Sequence, residues 1–154
     1  MLSIAPARGE ADIAAAARLF AAYAASLPFD LSFQNFAAEQ AGLPGKYAPP
    51  AGALLLAHRD GAVIGCVALR PFEGDRGEMK RLYIAPEGRG LGTGRALVTA
   101  IIAAARDAGY REMLLDTLPT MTAAIALYKS FGFGPIAPYY NNPVPGALFL
   151  SLRL

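Results

Sequence analysis

A glycine-rich turn carries the strongest chemical signal in this sequence. The run Arg89-Gly90-Leu91-Gly92-Thr93-Gly94-Arg95 follows a short apolar segment and leads into a helical pattern that begins at about Thr93. Glycines can adopt positive φ and let successive backbone N–H groups converge on one anion, while a helix N-terminus adds unpaired donors and a positive dipole end. Arg89 and Arg95 bracket the turn with fixed positive charge. The segment therefore predicts a site for a diphosphate group.

Three classes of nucleotide ligand use such a turn, and residue spacing separates them. A Walker loop is excluded because no Lys-Ser or Lys-Thr pair follows the glycines. In the dinucleotide pattern G-x-G-x-x-G/A, the frames starting at Gly88, Gly90 and Gly92 all place a larger side chain at the third small position, which hinders close helix–strand packing. Asp116 does follow the next apolar run, where a ribose-binding acid is expected. A dinucleotide-binding oxidoreductase therefore stays open as an alternative.

The third pattern, [QR]-x-x-G-x-[GA], is met by residues 89–94, and here the chain resembles the GCN5-related N-acetyltransferase (GNAT) family. Residues 78–86, Glu-Met-Lys-Arg-Leu-Tyr-Ile-Ala-Pro, are similar to the fourth strand of that family, and residues 124–133 are similar to its A-x-x-L-Y-x-x-x-G-F segment. The order and spacing agree over residues 63–133. The resemblance implies an α/β (α+β mixed) fold with a mostly antiparallel sheet, a central parallel strand pair and flanking helices.

The resemblance also implies the cofactor and the residues that hold it. The cofactor is acetyl-CoA, whose pantetheine arm lies between the two parallel strands along the backbone of Leu82, Tyr83 and Ile84. The pyrophosphate is held by the glycine-rich turn. The residues assigned to it are Arg89, Gly90, Leu91, Gly92, Thr93, Gly94 and Arg95.

Two residues are candidates for proton transfer. By resemblance, Tyr128 protonates the departing CoA thiolate; its alternative role is to pack a helix on the sheet. Glu78 precedes the strand segment that reaches the thioester. A carboxylate there can take a proton from the attacking amine, directly or through water, or it can be a strand-edge acid in a salt bridge. The implied reaction is direct acetyl transfer from acetyl-CoA to a primary amine, and the alternative is a non-catalytic acyl-CoA-binding module.

Two further segments are candidates for ligand contact. Asp116 and Thr117 could hydrogen-bond the cofactor or the acceptor, or they could cap the helix that starts near Met121. Members of the family place an asparagine shortly before this helix, and this sequence does not. The polar aromatic loop over residues 139–146 should lie near the acceptor pocket by family topology, and its few charges favour an acceptor that is not highly cationic. Ordinary loop packing is the alternative.

Composition limits the class of protein. The chain has 154 residues and is 55% hydrophobic, which is consistent with one domain over residues 1–154. A net charge of +2 does not favour a nucleic-acid surface, and Lys80 and Arg81 add to the local charge near the glycine-rich turn. Because no stretch is apolar enough for a membrane span or signal peptide, we expect a cytoplasmic protein.

The sequence contains one cysteine and one histidine. Cys66 lies in an apolar strand pattern and is expected to be a buried hydrophobe, and His58 is expected at a solvated strand end. No metal site is predicted from so few ligands.

The acceptor is expected to be a small-molecule or peptide amine, and an exposed edge at the last strand could pair two subunits in a homodimer.

The periodicity of apolar residues predicts the remaining strands and helices. Strands are predicted over residues 2–5, 52–58, 62–70, 113–116 and 147–152, with another ending at Ile84. Helices are predicted over about 10–27, 33–42, 93–109 and 121–131.

Overall fold

The computed structural model describes residues 1–154 as seven strands and four helices. The strands are β1 (Leu2–Pro6), β2 (Ala53–Arg59), β3 (Ala62–Pro71), β4 (Arg76–Ile84), β5 (Glu112–Thr117), β6 (Gly134–Ile136) and β7 (Leu148–Arg153). The helices are α1 (Gly9–Ala25), α2 (Phe36–Ala41), α3 (Thr93–Asp107) and α4 (Thr122–Ser130). Short 3-10 turns cover Ser32–Gln34, Gly45–Tyr47 and Pro86–Gly88. The predicted elements occur in the predicted order, and β6 is an addition.

All seven strands form one sheet in the order β1-β2-β3-β4-β5-β7-β6. Every neighbouring pair is antiparallel except β4 and β5, which are parallel and are joined by the crossover helix α3. The predicted mixed sheet with a central parallel pair is therefore confirmed. None of the helices combines the length and the apolar character needed to span a membrane.

Each face of the sheet is covered by helices, so two apolar cores form. One core packs α3 against alternate residues of the central strands, including Val67, Leu69 and Met79. The other packs α1 against the opposite face, including Leu56, Cys66 and Ala68. This alternation follows from the period of two along a strand. Cys66 is fully buried, as its apolar surroundings predict.

A β-bulge interrupts β4 between its first and second halves. Cys66 pairs with Tyr83 and Ala68 pairs with Lys80, so two residues of β4 oppose one residue of β3. Arg81 occupies the bulge with a φ of 61°, in the left-handed region that non-glycine residues seldom adopt. Its carbonyl accepts a 3.3 Å hydrogen bond from the Cys66 thiol, whose pKa burial raises to about 12. The thiol therefore stays protonated and able to donate.

The bulge turns Arg81 toward α1 and α2. Its Nε and Nη2 atoms lie 2.8 and 3.0 Å from the two carboxylate oxygens of Glu39 on α2, and its guanidinium stacks over Phe36 at 5.1 Å. The Arg81 side chain is only 2% exposed. The expected contribution of Arg81 to the local charge near the glycine-rich turn is therefore wrong, because this charge is already paired with Glu39 within the protein.

The last strand does not form an edge of the sheet. Residues Gly134, Pro135 and Ile136 of β6 pair with the middle of β7, so β7 lies between β5 and β6. The prediction of an exposed edge on the last strand is wrong, because a three-residue strand containing a proline gave no periodic signal. The edges of the sheet are β1 and β6.

Replacement of Glu39 tests the ion pair that fixes the bulge. We expect Glu39→Gln to lower the free energy of unfolding by about 3 kcal/mol, because it leaves the buried Arg81 charge without its partner. Urea unfolding measures the change. Glu10→Gln, at an exposed position in the first turn of α1, is the matched control and should change stability by less than about 1 kcal/mol, the size of a favourable helix-dipole interaction. Equal stability of the two variants would show that the ion pair between Glu39 and Arg81 does not stabilise the bulge.

Candidate functional site

A gap opens where the parallel strands separate. β4 and β5 pair only from Arg76 with Glu112 to Glu78 with Leu114. Beyond Glu78, the peptide groups of β4 have no strand partner on the β5 side, and the Arg81 bulge follows within this stretch. Ligands of α/β sheets bind outside the carboxyl ends of strands, where neighbouring strands part.

A cavity of about 520 Å³ occupies this gap and extends from the glycine-rich turn to Tyr128. Among the predicted cofactor-binding residues, it is lined by Leu82, Tyr83, Ile84, Arg89, Gly90 and residues 92–94. Leu91 and Arg95 lie outside its lining, and both are exposed. The structure therefore brings most of the predicted set to one cavity, together with Tyr128.

The glycine-rich turn presents free backbone donors. The N–H groups of residues 90–95 donate no hydrogen bond to another backbone group, and the first bond of α3 runs from the Ala96 N–H to the Gly92 carbonyl. Gly90 and Gly92 have φ values of 76° and 77°, and a Cβ atom on either would meet nothing within 4 Å. This cradle of unpaired N–H groups fits a pyrophosphate.

Three side chains around the turn have partners within the protein. Thr93 is buried, and its hydroxyl donates to the Gly88 carbonyl at 2.8 Å, which closes the turn. The Arg89 Nε donates to the Ile84 carbonyl at 3.0 Å. The Arg95 Nη2 donates to the Ser130 hydroxyl at 2.9 Å. Both arginines thus keep their charge beside the turn while they join it to β4 and α4.

Tyr128 faces the cavity from α4. The residue is 7% exposed, and its ring centroid lies 5.8 Å from that of Phe133. Burial raises the pKa of its hydroxyl, with a smaller contribution from nearby Tyr23 and Asp116. The hydroxyl therefore carries its proton across the neutral pH range. Both predicted roles fit this position, because the ring packs on the core and the residue lines the cavity.

Glu78 lies outside this cavity and lines a second one, of about 620 Å³. The Tyr139 hydroxyl donates to its Oε2 at 2.6 Å, and the Arg70 Nε lies 3.8 Å from its Oε1. The ion pair was one of the predicted alternatives. Its predicted location at a strand edge is wrong, because β4 is an interior strand and Glu78 is 4% exposed.

The two cavities meet at three residues, namely Phe33, Gln34 and Lys80. The Lys80 Nζ donates to the Gln34 Oε1 at 3.1 Å, and the Gln34 Nε2 donates to the Tyr140 hydroxyl at 2.9 Å. Lys80 is 8% exposed, and burial lowers the pKa of its amine. Lys80 is therefore a buried residue at the junction of the two cavities.

Asp116 ends this chain of hydrogen bonds. Its Oδ2 accepts from the Tyr140 hydroxyl and, at 2.9 Å, from the Asn142 amide. The first turn of α4 has no side-chain cap, so the predicted capping role is wrong; the Thr117 hydroxyl donates instead to the Met121 sulfur at 3.5 Å. The loop over residues 139–146 thus reaches both cavities, through Asn142 in one and Tyr140 in the other.

Sequence reasoning did not identify Gln34, Tyr47 and Arg70 as site residues. Gln34 and Tyr47 lie in 3-10 turns between α1 and β2, where no period distinguishes a buried side chain from an exposed one. Arg70 is near the end of β3 and reads as a polar strand terminus. The structure identifies these three residues as site candidates because they line the same cavity as Glu78.

Comparisons with known proteins agree with this geometry. The model of the Acetyltransferase (GNAT) family matches residues 16–133. An uncharacterized N-acetyltransferase from Schizosaccharomyces pombe is 46% identical over 134 residues, which cover 86% of this chain and 82% of that protein.

Solved structures show the same fold. A GNAT-family acetyltransferase from Staphylococcus aureus superposes with a TM-score of 0.81 over 99% of both chains, at 15% identity. YncA from Salmonella typhimurium, solved with its cofactor acetyl-CoA, superposes with a TM-score of 0.74 over 99% of this chain and 94% of that chain, at 21% identity. The family match favours acetyl-CoA over a dinucleotide as the ligand of the glycine-rich turn. The chain belongs to the GNAT family and is an acetyl-CoA-dependent N-acetyltransferase.

Proposed function

We propose that residues 1–154 form one domain that transfers the acetyl group of acetyl-CoA directly to a primary amine of a small molecule or peptide. The observation that supports this most strongly is the cavity at the parting of β4 and β5, because it joins the free N–H groups of the glycine-rich turn to Tyr128. A second cavity, lined by Glu78, meets the first at Lys80 and Gln34. One cavity can hold the acetyl donor and the other the acceptor.

The residues of the first cavity suit the parts of the cofactor. The N–H groups of residues 90–95 and the charges of Arg89 and Arg95 would hold the pyrophosphate. The unpaired peptide groups of β4 around Leu82 would hold the pantetheine arm, as a partner strand does. Acetyl-CoA supplies an acetyl group on sulfur, so that transfer makes a carbon–nitrogen bond, breaks the carbon–sulfur bond, and requires one proton to leave nitrogen and one to reach sulfur.

Tyr128 is the proposed proton donor to sulfur. Burial keeps its hydroxyl protonated, and no protein group engages that hydroxyl in a hydrogen bond. Glu78 is the proposed proton acceptor from the amine, directly or through water, and the Tyr139 hydroxyl holds its carboxylate in place. Backbone N–H groups of β4 near the bulge, free of a β5 partner, are positioned to stabilise negative charge on the acetyl oxygen.

Tyr128→Phe removes only the proposed proton donor. We expect kcat to fall by more than about tenfold while the affinity for acetyl-CoA stays nearly unchanged, since general acids contribute at least this much. Steady-state rates and calorimetric titration measure the two quantities. Tyr110→Phe is the matched control, because the Tyr110 hydroxyl bonds the Ala51 carbonyl at a distance from both cavities. An unchanged kcat would remove Tyr128 from the mechanism.

Glu78→Gln keeps the shape of the side chain and removes its ability to accept a proton. We expect kcat/KM to fall by about 100-fold near neutral pH. The remaining rate should rise about tenfold for each pH unit up to the pKa of the acceptor, because free amine must then come from solution. A pH–rate profile parallel to that of the unaltered enzyme would exclude Glu78 as the proton acceptor.

Gly92→Ala tests the cradle. The positive φ disfavours alanine by roughly 1–2 kcal/mol, and relief of this strain would turn the N–H groups away from a common centre. We expect acetyl-CoA to bind at least about tenfold more weakly. Gly109→Ala is the matched control: Gly109 has a φ of 90° and open space at Cβ, but it follows α3 outside the cavity. The Gly109→Ala variant should lose a similar free energy of unfolding and keep its affinity for acetyl-CoA.

A further inference from the structure

The second cavity is lined mainly by the segment between α1 and β2, and four aromatic side chains contribute to its walls. These are Phe33, Tyr47, Phe72 and Tyr140. It has room for a small organic molecule, and it reaches the first cavity only at the junction formed by Phe33, Gln34 and Lys80. A molecule bound here would therefore meet the acetyl donor beside Lys80.

The charge of the second cavity is predominantly positive. Lys46, Arg70 and Lys80 line it, and the acidic residues in its lining are Glu39 and Glu78. The Glu39 carboxylate is already paired with Arg81 through two hydrogen bonds. The remaining carboxylate is that of Glu78, which forms an ion pair with Arg70 at 3.8 Å. The lining therefore keeps a net positive charge from Lys46 and Lys80, which attracts an anion more strongly than a cation.

Two residues that line this cavity each have a buried polar atom without a hydrogen-bond partner. These atoms are the Arg70 Nε and the Tyr47 hydroxyl, the latter on a residue that is 2% exposed. The Arg70 Nε lies 3.8 Å from the nearest Glu78 oxygen, beyond hydrogen-bond distance. Buried donors of this kind are normally satisfied by protein groups or ordered water, so a molecule that accepts hydrogen bonds fits this wall of the cavity.

Lys80 determines where a group of the ligand that accepts hydrogen bonds would lie. Its amine has three donors, and one of them bonds the Gln34 amide oxygen. Because Lys80 lines both cavities, an anion bound to it would be adjacent to the point of acetyl transfer. Glu78 lies two residues before Lys80 on the same strand face and would attract the ammonium form of the same molecule.

We propose that the acceptor carries a carboxylate close to its amino group, as an amino acid does, and that Lys80 and Arg70 bind this carboxylate while Glu78 receives the amine. The inference rests on the proposed acetyl transfer to a primary amine and specifies its substrate class. A carboxylate can accept hydrogen bonds from the guanidinium group of an arginine and from the free donors of a lysine amine. The aromatic walls take the apolar remainder of the molecule.

Matched substrate pairs test the inference. L-Phenylalanine and L-methionine are compared with their α-amides, with the release of CoA as the measured quantity and each rate divided by the fraction of free amine. We expect kcat/KM to be at least about tenfold higher for each acid than for its amide, the size of one lost hydrogen bond to a charged group. An amide or a diamine that reacts as well as the acids would overturn the inference.

Variants test whether Lys80 and Arg70 produce the preference for the acid over the amide. Lys80→Met and Arg70→Met should each bring the ratio of acid to amide kcat/KM toward one, whereas Arg106→Met, an exposed position on α3, should leave this ratio unchanged. Thermal unfolding supplies a readout without turnover: N-acetyl-L-phenylalanine should raise the melting temperature of the unaltered enzyme more than its amide does, and this difference should vanish in Lys80→Met. An equal ratio in all variants would exclude Lys80 and Arg70 as the carboxylate site.

The design separates the two proposals. Release of CoA with amides or diamines alone supports acetyl transfer to an amine and overturns the carboxylate inference. Absence of CoA release with every amine tested, while acetyl-CoA still binds, overturns both the proposed direct transfer and the substrate class.

Discussion

The left-handed conformation of Arg81 is the constraint on which the site depends. Holding a non-glycine residue at positive φ costs about 1–3 kcal/mol, so surrounding contacts must enforce it. Two of them do: the bidentate pair with Glu39 ties the side chain to α2, and the Cys66 thiol donates to the carbonyl. With the bulge in place, Lys80 and Arg81 both face α1 and α2, while Leu82 returns to the α3 face. A regular strand would bury Arg81 in the α3 core.

Because β4 and β5 separate beyond Glu78, side chains rather than strand pairing connect the two sides of the opening. A chain of hydrogen bonds from Lys80 through Gln34 and Tyr140 to Asp116 links β4, the segment before α2, the loop before β7, and β5. This chain stands between the two cavities. The same contacts that separate the two cavities therefore also hold four separate segments of the chain together.

Much of the fold followed from local patterns. The alanine-rich period of α1, the hairpin of β2 and β3, and the crossover helix α3 each have a clear signal, and the parallel pair follows from the crossover. The bulge also has a signal in the sequence, because the adjacent charges of Lys80 and Arg81 interrupt the alternation expected of a central strand. The alternation along the rest of the strand obscured this signal. β6 had none, because three residues with a proline are too short to show a period.

The sequence by itself indicated the family and the cofactor, because three motifs occur in the right order and spacing over residues 63–133. It also determined the glycine-rich cradle, because the backbone conformation of this short segment is set by its own glycines. It also placed Tyr128 on the helix that faces this segment. Tertiary structure alone decided the environments of Glu78, Lys80 and Arg81, which differ by cavity and by partner although the residues are close in the chain. The physical reason is that partners such as Gln34, Glu39 and Tyr139 come from distant segments, and only folding brings their charges and donors within hydrogen-bond distance.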